Sequence, residues 1–157
     1  MNIAIGSDHA GYEQKERLKG LLAARGHAVL DLGTTSPEST DYPPYAFKVA
    51  EAVRDGRAER GILICDSGNG IAIAANKVDG IRAAIAVNPW QAEMSRRHND
   101  ANVLVLGSAL TPASDEAAIL DAWLQAAFDG GRHARRVGEI SEYEKTRERA
   151  PQRSRDS

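Results

Sequence analysis

The sequence predicts an α/β fold built on a parallel sheet. Three observations predict it. Five short apolar runs recur along the 157 residues. Helix-length amphipathic stretches separate them, and Gly, Asn-Pro and Thr-Pro signals punctuate the boundaries. Strands alternating with helices pair in parallel and are covered on both faces. Right-handed crossovers then give a doubly wound sheet.

Ile3-Ala4-Ile5 reads as the first strand. A helix over about 12–25 follows, and Gly26 is placed to stop it. Residues 28–32 form the second strand. Over 44–54, Ala46, Val49, Ala50 and Val53 share one helical face. Ile62-Leu63-Ile64 is a buried third strand, followed by a glycine-rich turn and a helix over 71–77. The fourth strand spans 82–87. Asn88-Pro89 supplies an N-cap with proline at the first helical position, opening a helix to about 98. Residues 103–106 form the fifth strand. Thr111-Pro112 repeats the cap-and-proline signal before a helix to about 128. Ser141-Glu142-Tyr143-Glu144 has capping-box spacing and predicts that a last helix starts there and runs toward 149. A single domain is expected over 1–150, with a polar, frayed tail over 151–157.

Apolar residues make up 42% and charged residues 27%, with a net charge of −2. That balance offers no bulk attraction for nucleic acid or an anionic membrane. No stretch of about 20 apolar residues exists to span a bilayer. The chain opens on a strand rather than a basic and apolar leader. Its one cysteine, Cys65, has no partner for an internal disulfide. The expectation is a cytoplasmic protein in a reducing compartment.

Open parallel sheets bind ligands beyond the carboxyl ends of their strands. In the flavodoxin-like order the switch point lies between strands one and three. Two turns meet there: Ser7-Asp8-His9, and Cys65-Asp66-Ser67-Gly68-Asn69-Gly70. A free cysteine is often only a core residue. Cys65, however, precedes a glycine-rich turn that opens a helix, where backbone amides favour negative charge. A thiolate there can accept a proton.

The turn itself is either a tight connection or an anion cradle for an enediolate oxygen. It is not a dinucleotide fingerprint, since Ile73 stands where the third glycine belongs. It is not a cysteine-phosphatase loop, since Ile71 replaces the arginine. Ser67 donates in the same site or satisfies the turn. Asp8 caps the first helix or moves protons between sugar oxygens. His9 is a candidate phosphate donor. His98, near a helix C-terminus, is a dipole partner or an acid–base group. Arg132 and Arg136 share a face if helical, and two such arginines can grip a phosphate. The four histidines are scattered and no Cys–His set has structural-zinc spacing, so neither metal nor organic cofactor is expected.

These motifs also carry a resemblance. The stretches Gly6-Ser7-Asp8-His9-Ala10-Gly11, Thr40-Asp41-Tyr42-Pro43 and Ile73-Ala74-Ala75-Asn76-Lys77 belong to it. So do Gly80-Ile81-Arg82-Ala83, Ser95-Arg96-Arg97-His98-Asn99-Asp100-Ala101-Asn102-Val103, Gly130-Gly131-Arg132-His133 and the run over 61–70. In them the chain resembles the type B ribose-5-phosphate isomerases and the related galactose-6-phosphate isomerase subunits. The resemblance implies a Rossmann-like three-layer sandwich with a five-stranded parallel sheet and an extra C-terminal helix. It implies cofactor-free conversion of ribose 5-phosphate to ribulose 5-phosphate by a homodimer, or a pair of dimers, with active sites at the subunit boundary.

Carried over, Cys65 is the base between C1 and C2 and Ser67 assists it. Asp66, Gly68, Asn69 and Gly70 hold the enediolate, Asp8 manages hydroxyl protons and His98 opens the furanose ring. Tyr42 and Asn99 contact the sugar. His9, Arg132 and Arg136 hold the phosphate, some from the partner subunit. One branch of the family uses a glutamate at the position of Ile71, so this chain follows the cysteine branch. Two departures stand out: Ala109 where a phosphate-binding arginine is usual, and Asp66 in place of a glycine. Both motivate a second expectation, the same chemistry on another sugar or sugar phosphate. A non-catalytic sugar-phosphate-binding module is the third.

Overall fold

The computed structural model describes residues 1–149; the tail expected over 151–157 lies outside the described residues. Its strands are β1 (Asn2–Ser7), β2 (Ala28–Asp31), β3 (Arg60–Cys65), β4 (Ala83–Ile85) and β5 (Val103–Gly107). Its helices are α1 (Tyr12–Ala24), α2 (Tyr42–Arg54), α3 (Asn69–Ala75), α4 (Pro89–Asn99), α5 (Ala113–Gln125) and α6 (Arg132–Arg149). A 3-10 turn, His9–Gly11, precedes α1.

All strand pairs are parallel, in the order β2-β1-β3-β5-β4. The flavodoxin-like order expected from sequence therefore needs one correction: the last two strands are exchanged. Burial gives the reason. Val103 to Gly107 of β5 is buried throughout, whereas the three residues of β4 are only half-buried. The apolar strand takes the interior and the short one the edge.

Handedness places the helices. A right-handed crossover that reverses its direction along the sheet also changes face. Connections α1 and α4 step one way, α2 and α3 the other. Side-chain alternation agrees. Ile3, Ile5, Ile62, Ile64, Leu104 and Leu106 pack with Leu18, Leu22, Ala92, Ile119, Leu120 and Trp123 on the α1/α4/α5 face. Ala4, Leu63, Cys65, Val103 and Val105 pack with Ala46, Val49, Ala50 and Ile71 on the α2/α3 face. Cys65 thus lies at the carboxyl end of β3 under α2 and α3.

Edge strand β4 is blunted by a side chain that imitates a neighbouring strand. Asn76 Oδ1 accepts from Ala83 N–H at 2.8 Å and its Nδ2 donates to Ala83 C=O at 2.9 Å. On the paired side Asn102, just before β5, accepts from Arg82 N–H at 2.8 Å and donates to Gly80 C=O at 2.9 Å, extending the β4–β5 contact.

Three terminus signals meet different outcomes. Asn88 Oδ1 accepts from Gln91 N–H at 2.8 Å, a true N-cap. Thr111 does not cap α5: Pro112 holds that position, the Thr111 hydroxyl is buried without a partner among the described residues, and α5 ends at Gln125. Ser141 does not open the last helix. It sits inside α6, where its hydroxyl donates to Val137 C=O at 3.3 Å. Gly130 and Gly131, both at positive φ, provide the start instead. Among the described residues no helix is long and apolar enough to cross a membrane.

Candidate active site

Two turns meet at the carboxyl ends of β1 and β3, as the switch-point argument expects. Ser7 is in register with Ile64. One residue further, Asp8 and Cys65 occupy neighbouring positions about 4.8 Å apart across the sheet.

Cys65 is 5% exposed and belongs to the apolar cluster of that face, as a packing role requires. Its sulfur nonetheless accepts a hydrogen bond from Gly68 N–H at 3.2 Å. Gly68 reaches this geometry at φ +80°, where a side chain would strain the turn.

The amides that open α3 have no helical carbonyl to bond. Ala72 N–H is the first to bond back, to Gly68 C=O at 3.1 Å. Asn69 N–H is taken by Ser67 Oγ at 3.3 Å. The N–H groups of Gly70 and Ile71 have no protein acceptor among the described residues. Ser67 thus satisfies the turn and still has its own proton to donate.

The loop is fixed from behind. Ser108 N–H donates to Cys65 C=O at 2.9 Å and Ala109 N–H to Asp66 C=O at 3.0 Å. A Cβ on Gly107 would meet the Ser67 carbonyl at 2.8 Å, so only glycine allows this approach. Asp66 and Ala109, the two departures from the family pattern, are therefore hydrogen-bonded neighbours on one rim. Both are exposed, and the Asp66 carboxylate has no ion-pair partner among the described residues.

Asp8 is 6% exposed, and one of its carboxylate oxygens accepts from Ala10 N–H at 3.0 Å and Gly11 N–H at 3.2 Å. The cap belongs to the 3-10 turn His9–Gly11 and not to α1, whose N-cap position is Gly11, and it leaves Oδ2 without a partner among the described residues. His9 is held by residue 40: its Nδ1 lies 3.1 Å from both Thr40 N and Thr40 O. Thr40 Oγ1 in turn lies 3.1 Å from Tyr45 Oη. Hydrogen bonds from Thr40 and Thr34 hold the Tyr45 phenol below its ordinary value. Thr40 and Tyr45 are site-forming residues that spacing could not relate to His9. Tyr42, the first residue of α2, lays its ring against Gly70.

His98, Asn99, Arg132 and Arg136 do not join this group within one chain. α4 begins at the carboxyl edge of the sheet and ends at the amino edge, just before β5. Cys65 pairs with Gly107 and Gly61 with Val103. His98 is therefore displaced from the sulfur by at least the length of β5, roughly 13 Å.

At that far end His98 stacks on His133, ring centroids 4.3 Å and planes 7° apart. The expectation of scattered histidines is thereby corrected, because α6 folds back onto the end of α4. Desolvation, and then the charges of His98, Arg132 and Arg136, hold His133 below the ordinary imidazole value. Arg97 donates to Asp129 at 3.2 Å and keeps that carboxyl below its usual range. Arg132 and Arg136 share the exposed face of α6, and neither has a carboxylate partner among the described residues.

Comparison with known proteins identifies the family. A family model described as Ribose/Galactose Isomerase matches residues 3–140. Ribose-5-phosphate isomerase B of Escherichia coli is 49% identical over 145 residues, covering 92% of this chain and 97% of that one. The solved structure of Clostridium thermocellum ribose-5-phosphate isomerase B superposes with a TM-score of 0.92 at 54% identity, over 94% of this chain and 99% of that one. The Mycoplasma genitalium enzyme, solved with bound ribulose-5-phosphate, gives a TM-score of 0.88 at 42% identity, over 92% and 96% of the two chains.

Proposed function

The chain belongs to the ribose/galactose isomerase family, and from that premise we propose that it interconverts D-ribose 5-phosphate and D-ribulose 5-phosphate at a site shared by two copies. The observation that carries this reading is the pairing of a sulfur with amides. Cys65 accepts from Gly68 N–H, while Gly70 and Ile71 keep unpaired N–H groups in the same turn.

The reaction follows from those groups. His98 of the partner subunit gives a proton to the ring oxygen as the C1–O bond breaks, and the Asp8 carboxylate takes the C1 hydroxyl proton. The Cys65 thiolate removes hydrogen from C2. Negative charge moves to the carbonyl oxygen, where the Gly70 and Ile71 amides receive it. One such donor is typically worth ~10²–10³ in rate. Cys65 returns the proton to C1, and Asp8 with Ser67 moves the hydroxyl proton between O2 and O1. Nothing is oxidised or reduced overall. Tyr42, Asn69 and Asn99 of the partner subunit line the sugar. His9, with Arg132 and Arg136 of the partner subunit, holds the phosphate.

The placement of His98 and the two arginines at the amino edge supports the dimer. A two-fold axis that brings one chain's carboxyl edge to the other's amino edge completes both sites at once. A groove of about 630 Å³ opens beside Asn69 and runs past Ile73, Asn76 and Ile85 along the β4 edge. It offers room for the second chain.

The test is a mixture of Cys65→Ala and His98→Asn chains, each inactive alone. Random pairing places both changes in one site of the mixed dimer and leaves the other intact, so about a quarter of the wild-type activity returns. No recovery after exchange would refute the shared site. A coupled assay for ribulose 5-phosphate tests the reaction itself.

The Asp66–Ala109 rim favours one second reading, the same chemistry on another sugar. That rim carries a carboxylate and no cation, so it disfavours a phosphate and suits a hydroxyl. A kcat/KM panel over tetrose, pentose and hexose phosphates and free sugars decides it. A clear preference for ribose 5-phosphate ends that reading.

A further inference from the structure

We propose that His98, Asp129 and His133 form a binding site for one divalent transition-metal ion of the borderline class, with Zn²⁺ as the probe. The site joins three elements that lie far apart in sequence. His98 is in the last turn of α4, Asp129 follows α5 and His133 is in the first turn of α6. One ligating atom from each lies within 4.8 Å of the others.

Imidazole nitrogen and carboxylate oxygen are donors zinc accepts, at about 2.0–2.2 Å. Donors around a tetrahedral ion lie roughly 3.3 Å apart, so the three groups must close by up to about 1.5 Å. They are free to do so. Neither ring makes a side-chain hydrogen bond among the described residues; Asp129 is exposed and the two histidines are half-buried. The parallel rings converge on an ion by rotating about χ2. Asp129 Oδ1 already accepts from Arg97, and Oδ2 is left to ligate.

Charge works against the site. Arg97, Arg132 and Arg136 oppose a dication and weaken the site, and three protein donors leave the fourth tetrahedral position to water.

A consequence rests on the function proposed above. An ion on His98 removes the proton donor for ring opening, so bound zinc inhibits the isomerase.

Zinc titration by calorimetry on the full chain tests the site. The expected result is saturable binding of one ion per chain, weakened at least about tenfold by His133→Ala and by Asp129→Asn. The Cys65→Ala chain should bind as the wild type does, since the sulfur is the competing soft ligand. Cobalt substitution should show ligand-field bands without a thiolate charge-transfer band. Absence of saturable binding, insensitivity to both the His133 and Asp129 substitutions, or loss on Cys65→Ala would overturn the proposal. Zinc binding of the expected kind with undiminished turnover would leave the site standing and remove the ring-opening role from His98.

Discussion

Gly70 offers a sharp test of how the sugar site is shaped. Its φ is not in the left-handed region, so alanine is conformationally acceptable there and is the better helix former. Space is the obstacle. A Cβ at Gly70 would lie 2.5 Å from Tyr42 Cζ and 2.8 Å from Cε1 and Oη. Carbon contacts are comfortable from about 3.5 Å, so the ring must retreat by roughly 1 Å. The obstructing atoms are the far end of a side chain that is 38% exposed and can swing outward. The fold should lose about 1 kcal/mol or less, below the usual cost of overpacking a closed core. The reaction should lose more, because a displacement of this size in a positioning group can cost about 10²-fold.

Gly70→Ala is therefore expected to keep its melting temperature within a few degrees and lose about two orders of magnitude in kcat/KM for ribose 5-phosphate. The amide of residue 70 is retained, so the loss reports Tyr42 placement rather than a missing donor. Combining Gly70→Ala with Tyr42→Ala should cost no more than Tyr42→Ala alone, since the clash is then gone. Wild-type kcat/KM in Gly70→Ala, or strictly additive losses in the double variant, would refute the reasoning.

Cys65→Ala should lower isomerisation by about 10²–10⁴-fold and abolish solvent deuterium entry at C2, with the near-UV circular dichroism unchanged; full exchange in that variant removes the sulfur as base. Asp31 gives the pH dependence. Burial raises its carboxyl, but hydrogen bonds from Lys15 and Lys19 outweigh that and hold it below its ordinary value. Its contribution is therefore complete above the unfolded value near ~3.9 and is lost as pH falls through the lower folded value. Denaturant melts should show Asp31→Asn less stable by about 3 kcal/mol at neutral pH, with a flatter acid limb, because Lys15 is only 1% exposed and keeps Glu16 alone. Exhaustive treatment with a chelator should leave turnover unchanged; a loss restored only by added metal would contradict the cofactor-free reaction.

How much of this was legible beforehand depended on whether the deciding interaction was local. The Gly26 stop and the Asn88 cap are settled within a few residues and stand as read, whereas the fourth strand, expected over 82–87, spans only Ala83–Ile85, and the helix expected over 71–77 spans Asn69–Ala75. The meeting of Asp8 with the Cys65 loop followed from the general behaviour of parallel sheets. Ser141 misled because a capping-box pattern says nothing about whether a helix has already begun; Gly130 and Gly131 had started it.

What the sequence determined by itself was the alternation of elements and the chemical types of side chain available to a site. Local propensity and hydrophobic spacing are written into neighbouring residues. Tertiary structure decided which of those side chains share a site. It put β5 inside and β4 at the edge by burial, and held His9 through residue 40. It stacked His98 on His133 and carried both to the end of the sheet opposite Cys65. Those outcomes depend on competition among distant surfaces for the interior, and no short window of sequence contains both competitors.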